Sequence, residues 1–314
     1  MPFNTYHDNI QIMKSGLVAK LKPWILPLAM LLGILFHDTI GYVAFLSKYL
    51  IFVMLLITYS RISLHHFAFD HSMWWLLAIQ IVGALTVYFA LLPFNKVVAE
   101  SIFICVFCST ATAAPVITGM LGGNVGKVVV FSLLSNFAIA LLSPVILAFI
   151  GDNTSMTFSQ SLLTIAVNVL PLLLGPLVVA LLMRRFAPKA ADGLAHHQGL
   201  SFYIWAVSLL IVVGNSVSFV MSEPKSQIPV IAIIAVLSLG VCLLQFYLGR
   251  KIGTRCGDAV AGAQSLGQKN TVLAIWLALT YLNPLSSIGP AFYIAWHNTV
   301  NSWQIARHTC THSP

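Results

Sequence analysis

An all-α protein that crosses a lipid bilayer about ten times is what this sequence predicts, and three observations carry the prediction. Hydrophobic residues make up 59% of the 314 and charged residues only 8%, whereas a soluble domain usually carries about 25% charged residues. The apolar residues fall in runs of roughly twenty, the length a helix needs to cross a hydrocarbon core. The basic residues sit at the ends of alternate runs and form no continuous patch.

Taken in order, the spans lie near 21–36, 39–59, 73–92, 101–120, 125–150, 159–182, 200–220, 228–248, 259–282 and 288–306. Turn-forming residues separate many of them: Pro93-Phe94-Asn95-Lys96, Gly122-Gly123-Asn124, Gly151-Asp152-Asn153, Glu223-Pro224-Lys225 and Asn283-Pro284. The runs must be helices, because lipid offers no partner for free backbone groups. A β-barrel would need alternation of apolar and polar residues, and these runs lack it.

Ten spans return the chain to the side on which it started. Lys14, Lys20, Lys22, Arg61, Lys127, Arg184, Arg185, Lys189, Arg250, Lys251, Arg255 and Arg307 fall on one side; only Lys96 and Lys225 fall on the other. The positive-inside rule then puts both termini in the cytoplasm of a cell inner membrane. The formal charge of +8 therefore reflects topology, and no nucleic-acid partner is expected. Five cysteines give no disulfide framework, and Cys105 and Cys108 have no nearby acid or histidine to complete a metal site. The polar segment Met1–Gly16 contains no apolar run of the kind a cleaved signal needs. No metal, cofactor or catalytic residue is expected. A membrane-embedded enzyme would need clustered acids or histidines facing a cavity, and a sensor would need an output domain.

Two spans are interrupted by small and polar residues: Ser109-Thr110-Ala111-Thr112-Ala113-Ala114-Pro115 in the fourth and Ser265-Leu266-Gly267-Gln268-Lys269-Asn270-Thr271 in the ninth. Thr112 and Lys269 are 157 residues apart, half the chain. The spacing predicts two five-span repeats of opposite orientation, 1–157 and 158–314. Interrupted helices at matching positions of two such halves point to a transporter's binding site. Small residues that merely let helices approach closely are the plainer reading.

These residues resemble the bile acid:sodium symporter family over nearly the whole chain. The resemblance rests on Gln80 in the third span, on Cys108 to Thr112, on Gly123-Asn124-Val125 and Leu142-Ser143-Pro144, on Gly267 to Thr271, and on Trp296-His297-Asn298. It implies ten helices in two inverted repeats, with helices 1, 2, 6 and 7 forming a panel. Helices 3, 4, 5, 8, 9 and 10 would form a core in which broken helices 4 and 9 cross. The substrate implied is a small organic anion, a bile acid, pantoate or a related carboxylate, held between core and panel and usually coupled to two sodium ions. The threonine and asparagine with which the family holds small carboxylates align with Thr112 and Asn270. Thr110, Thr271 and Asn298 are further candidates for substrate hydrogen bonds, although a hydroxyl on a membrane helix often bonds its own backbone.

The sequence departs from that pattern where sodium would bind. The family's Ser-Asn pair reads Ala114 and Pro115, a serine ligand reads Val128, the shared glutamate reads Ser265, and a glutamine reads Lys269. Gln80, Ser132 and Gln268 keep polar groups, so these positions with Ser265 and Lys269 form a coupling or vestigial ion site. The eight acids fall in termini, loops or span ends, leaving no midplane carboxylate for a hard cation. Lys269 and His297 are the ionisable side chains deep in spans, and a charge there is costly enough to mark function; Lys48 lies nearer a span end. Two sodium ions and a glutamate leave one net positive charge, as do one lysine and one serine, so Lys269 is expected to replace the ions. Whether it stays charged or carries a proton is left open. His297 is either a hydrogen-bonding contact between helices or a titrating partner.

Overall fold

The structure is a computed structural model and describes residues 17–60, 70–151, 157–196, 198–222 and 224–312. Met1–Gly16, Arg61, Asp152, Asn153 and Glu223 lie outside the described residues, and with them the sequence reading of Asp8 and Lys14. The described residues are almost entirely helical, with no β-strand among them. In chain order the helices are α1 (Leu17–Leu35), α2 (His37–Ile40), α3 (Leu46–Tyr59), α4 (His71–Leu91), α5 (Lys96–Phe107), α6 (Ala114–Met120) and α7 (Val125–Ile150). They continue with α8 (Phe158–Phe186), α9 (Pro188–His196), α10 (Gln198–Ser222), α11 (Ile228–Arg255), α12 (Ala259–Gly267), α13 (Thr271–Tyr281) and α14 (Ile288–His312).

Among the described residues, five stretches are long and apolar enough each to cross a membrane alone, namely α4, α7, α8, residues Tyr203–Ser222 of α10, and Lys225–Arg255 around α11. The pair made by His37–Val43 and α3 makes a sixth, bent by 69°. The molecule is thus a helical multi-pass membrane protein. Large side chains such as Leu163, Val236 and Phe149 face outward, as a lipid-facing surface requires.

Side-chain caps start the helices where the turn residues stand. Asn95, Asn124, Asp258 and Asn270 each accept a bond from the backbone N–H three residues on. Thr157 and Gln160 close a capping box at α8. Gly122 and Gly257, at φ 74° and 83°, let the chain turn out of α6 and α11 in a conformation that other residues avoid.

The helices α1 and α3 pack on α10, and α8 packs on α3. The pairs α4–α5, α5–α11, α5–α14, α11–α12 and α11–α14 form a second set of contacts, and α7 packs against both α8 and α12. At α11–α12 the backbones meet directly, since a Cβ at Gly249, Gly253 or Gly262 would enter the facing main chain. Gly33 of α1 likewise lies against α10, where a Cβ would come within 2.7 Å of the Leu210 carbonyl.

Four features differ from the sequence reading. The second span is not continuous. It bends between Val43 and Leu46, and Ile40 packs where a Cβ on Gly214 of α10 would come within 2.5 Å of it. The third span carries one π turn at Ile79–Gly83. A separate helix, α9, follows α8 with Pro188 at its start, where a missing N–H costs nothing. Glu100, read as lying at a span end, is inside α5 and fully buried. It accepts bonds from the Asn283 N–H and the Ser286 hydroxyl, both at 2.9 Å, and faces Lys96 at 3.7 Å. Starting α5 at Lys96 rather than at 101 takes Glu100 into the helix, where it ties down the α13–α14 connection.

Candidate functional site

Both interrupted spans break where the sequence places their small and polar residues. α5 ends at Phe107, and Cys108 turns extended with ψ 151°. The chain re-enters a helix at Ala114, with Pro115 in the first turn. α12 ends at Gly267, Gln268 is extended, and Asn270 caps α13. Each break strips backbone groups of their helical partners, and in a dry interior an unmet group costs several kcal/mol.

The two extended segments meet these needs by pairing with each other. Thr110 and Lys269 form an antiparallel bridge. The Asn270 N–H donates to the Ser109 carbonyl at 2.7 Å, and the Ala111 N–H donates to the Gln268 carbonyl at 2.9 Å. This is the pairing type in which facing residues lie closest, with Cα atoms about 4.5 Å apart. The sequence-predicted residues Thr110, Gln268, Lys269, Asn270 and Thr271 are thereby gathered at one buried crossing. Thr112 stands half-buried on the turn into α6.

A polar scaffold holds the crossing. The Gln80 amide nitrogen donates to the carbonyls of Phe107 and Cys108 at 2.9 and 3.1 Å. The π turn carries Gln80; such turns recur at functional sites. Ser135 donates to Gln80 at 2.9 Å and accepts from the Thr110 N–H at 3.3 Å. The Thr110 hydroxyl donates to the Ser265 carbonyl at 2.6 Å, and the Cys108 thiol donates to the Asn270 carbonyl at 3.2 Å. Ser132 is less central: its carbonyl accepts from Asn136 at 2.7 Å.

Several side chains at the crossing remain unsatisfied. Lys269 is 1% exposed and its ammonium has no hydrogen-bond partner among the described residues. The titratable groups that its charge reaches are the thiols of Cys105 and Cys108. The Gln268 side-chain oxygen Oε1, the Asn270 side-chain nitrogen Nδ2 and the Ser109 hydroxyl are also without a hydrogen-bond partner among the described residues. His297 is fully buried, and neither ring nitrogen makes a hydrogen bond to the described residues. It stacks edge-on to Tyr293 at 5.7 Å between ring centroids. Asn298, beside it, is only partly buried.

Sequence reasoning missed three participants. Ser135 links Gln80 to the break. Tyr293 donates to the Gly267 carbonyl at 2.7 Å and so closes the end of α12, and Gln245 donates to the Tyr293 hydroxyl at 3.0 Å. The signal was present in α14, where Tyr293, His297 and Asn301 recur every four residues and therefore share one face. Among the described residues no group of three or more acids, histidines or cysteines could hold a metal ion.

A bundle of apolar helices, with two helix breaks paired at a buried polar crossing, defines the class, a helical multi-pass membrane protein. No protein-family model matches the chain. A protein of Bacillus subtilis (strain 168) described as "Uncharacterized sodium-dependent transporter YocS" is 22% identical over 215 residues, which cover 65% of this chain. The match spans 62% of that relative's length.

Proposed function

We propose that this chain is a secondary transporter of an organic anion, built as the bile acid:sodium symporters are, and that Lys269 supplies the positive charge that sodium supplies in them. In this reading the ten spans form two inverted repeats, 1–157 and 158–314, with both termini in the cytoplasm of the inner membrane. The substrate is a small carboxylate held at the crossing by Lys269, with Thr110, Thr112, Asn270, Thr271, His297 and Asn298 available for hydrogen bonds as the site opens.

One observation carries the reading. The Lys269 ammonium is buried beside two paired broken helices and has no hydrogen-bond partner among the described residues. A lone charge at such depth costs about 2.5–3.5 kcal/mol on insertion scales, and an anion from solution would offset that cost in each cycle. The polar positions nearby support the same reading. Gln80 presents N–H groups, not oxygens, to the Phe107 and Cys108 carbonyls, so these carbonyls already hold donors where a cation would need free oxygens.

The sodium-dependent symporter is the second reading. It draws on the printed name of the Bacillus relative, and it would use backbone carbonyls as the ion's ligands. Uptake of carboxylates into proteoliposomes, with sodium replaced by choline, separates the two. The proposal expects uptake to persist in choline, and a saturable sodium requirement would favour the second reading. Adding a pH gradient then tells whether Lys269 is a fixed cation or releases its proton during the cycle.

A further inference from the structure

A row of polar groups leads away from the crossing along α14. Tyr293, His297, Asn301, Gln304 and His308 follow one another at steps of three or four residues, so they share one face of the helix. From Tyr293 to His308 that face covers about 22 Å of helix rise. Its inner end touches the crossing, where Tyr293 donates to the Gly267 carbonyl, two residues before Lys269, and accepts from Gln245 of α11 at 3.0 Å. Its outer end reaches the turn between α6 and α7, where a Cβ on Gly122 would lie 3.7 Å from the His308 ring. In between, Gln264 of α12 donates to Asn301 at 3.0 Å and to Gln304 at 3.1 Å. Cys242 and Phe246 of α11 and Ala263 of α12 pack with Tyr293 and give the inner part apolar walls.

Five buried atoms of this row make no hydrogen bond among the described residues: Gln245 Oε1, Gln264 Oε1, both ring nitrogens of His297, and Asn301 Nδ2. The four side chains that carry them are at most 4% exposed. Left unmet in a dry interior, each group costs about 1–3 kcal/mol. The groups are of both kinds. The amide oxygens accept, Asn301 Nδ2 donates, and a neutral imidazole donates at one nitrogen and accepts at the other. An anion would satisfy only the donors, and a metal ion only the acceptors. Water does both, and a buried water makes about three such bonds. His297 and Asn301 stand a full turn apart, so a file of molecules is needed to serve them all.

We infer that this row holds a file of water that carries protons between Lys269 and the C-terminal end of α14, the cytoplasmic end in the reading above, with His297 as the relay. In one transfer an N–H bond of the Lys269 ammonium breaks and the proton passes to water. An N–H bond then forms at one His297 nitrogen, and the proton on the other nitrogen leaves toward Asn301; charge moves and no electron does. The titratable groups that face this stretch are Tyr293 on α14, Cys105 and Cys108 on α5 and Cys242 on α11. α12 supplies none. None of them is a carboxylate that would trap the proton. The inference rests on the transport reading for its purpose, since it makes Lys269 a proton carrier, and not for the existence of the file.

X-ray footprinting tests it, with the full chain in phosphatidylcholine nanodiscs and mass spectrometry of the oxidised peptides. Hydroxyl radicals made in place from water mark the side chains that touch water. His297 and Tyr293 should be oxidised about tenfold faster than Tyr59, which is also buried but packs among apolar side chains. Asn301→Leu should slow labelling of His297 about tenfold, the effect of losing one polar link, and Asn301→Ser should restore it. Proton exchange at Lys269, followed by magnetic resonance of isotope-labelled lysine after transfer to deuterated water, should slow by a similar factor in Asn301→Leu. Labelling of His297 no faster than that of Tyr59 overturns the inference without any variant. So does labelling, or exchange at Lys269, that Asn301→Leu leaves unchanged, since water or protons then arrive by another route. Neither measurement uses a substrate, so a chain that transports nothing would sink the transport reading and leave the file standing.

Discussion

Lys127 and Lys269 are the same residue in two regions of one molecule, and their surroundings are opposite. Lys127, in the first turn of α7, donates to the Asp70 carboxylate at 2.7 Å and to the Cys256 carbonyl at 3.1 Å. Nearby, Asp258 accepts from the Asn124 and Ala261 N–H groups at 2.6 and 2.8 Å, so the starts of α4, α7 and α12 are tied together. At Lys269 the backbone is tied by the bridge to Thr110, whose segment Gln80 holds through the Phe107 and Cys108 carbonyls, yet the ammonium has no hydrogen-bond partner among the described residues. A paired lysine at a helix end is part of the frame. An unpaired one in the interior costs stability, and a fold retains it where a ligand supplies the missing charge.

The contrast predicts that scaffold and charge at the crossing separate under mutation. Gln80→Leu should be the most damaging change, because it leaves the Phe107 and Cys108 carbonyls unmet. A loss of about 3 kcal/mol is expected at roughly 1–3 kcal/mol per stranded group, readable as a lower melting temperature in detergent. Unchanged melting would mean that the crossing does not depend on this scaffold.

Lys269→Met should act in the other direction on stability, with a gain of about 2 kcal/mol from removing an unpaired buried charge, while uptake collapses. A variant both less stable and active would dissolve the contrast. Lys127→Met should cost about 1 kcal/mol or less, because the pair is partly exposed and screened. Its uptake per folded molecule should stay near the parent's, and loss of uptake with full stability would make Lys127 more than frame.

The smallest effect is the response of that frame to acid. The Asp70 carboxyl is held below its ordinary value of 3.8, foremost by the hydrogen bond from Lys127. A depressed carboxylate contributes stability that is complete above its unfolded value and is lost as pH falls through the folded one. The tie should therefore be intact from about pH 5 upward and weaken below about pH 4. Comparing melting curves of the parent and Asp70→Asn across that range sharpens the point, since the variant should lack this component.

Much of this contrast was legible in the sequence, and the reason is local chemistry. Ser109 to Pro115 and Ser265 to Thr271 are poor continuations of an apolar helix, and the chain breaks at 108–113 and 268–270, so both breaks could be read, and a lysine among Gln268 and Asn270 announces itself. What could not be read depends on partners far apart in the chain. Glu100 is buried because Asn283 and Ser286 reach it. Gln80 matters because a π turn aims it at carbonyls 27 and 28 residues away. The bend before α3 goes with Ile40 lying against Gly214, a partner that no pattern within 39–59 names.

The central claim is that the Lys269 charge recruits the anion, and uptake by the parent and by Lys269→Gln tests it most directly. Both would be reconstituted in proteoliposomes in choline medium and supplied with cholate or pantoate between pH 6 and 8. A unit charge pair at about 4 Å is worth on the order of 4 kcal/mol at an effective dielectric of 20, so even a screened contact predicts a fall of tenfold or more. Uptake by Lys269→Gln equal to the parent's at every pH would contradict the account and leave the lysine merely tolerated.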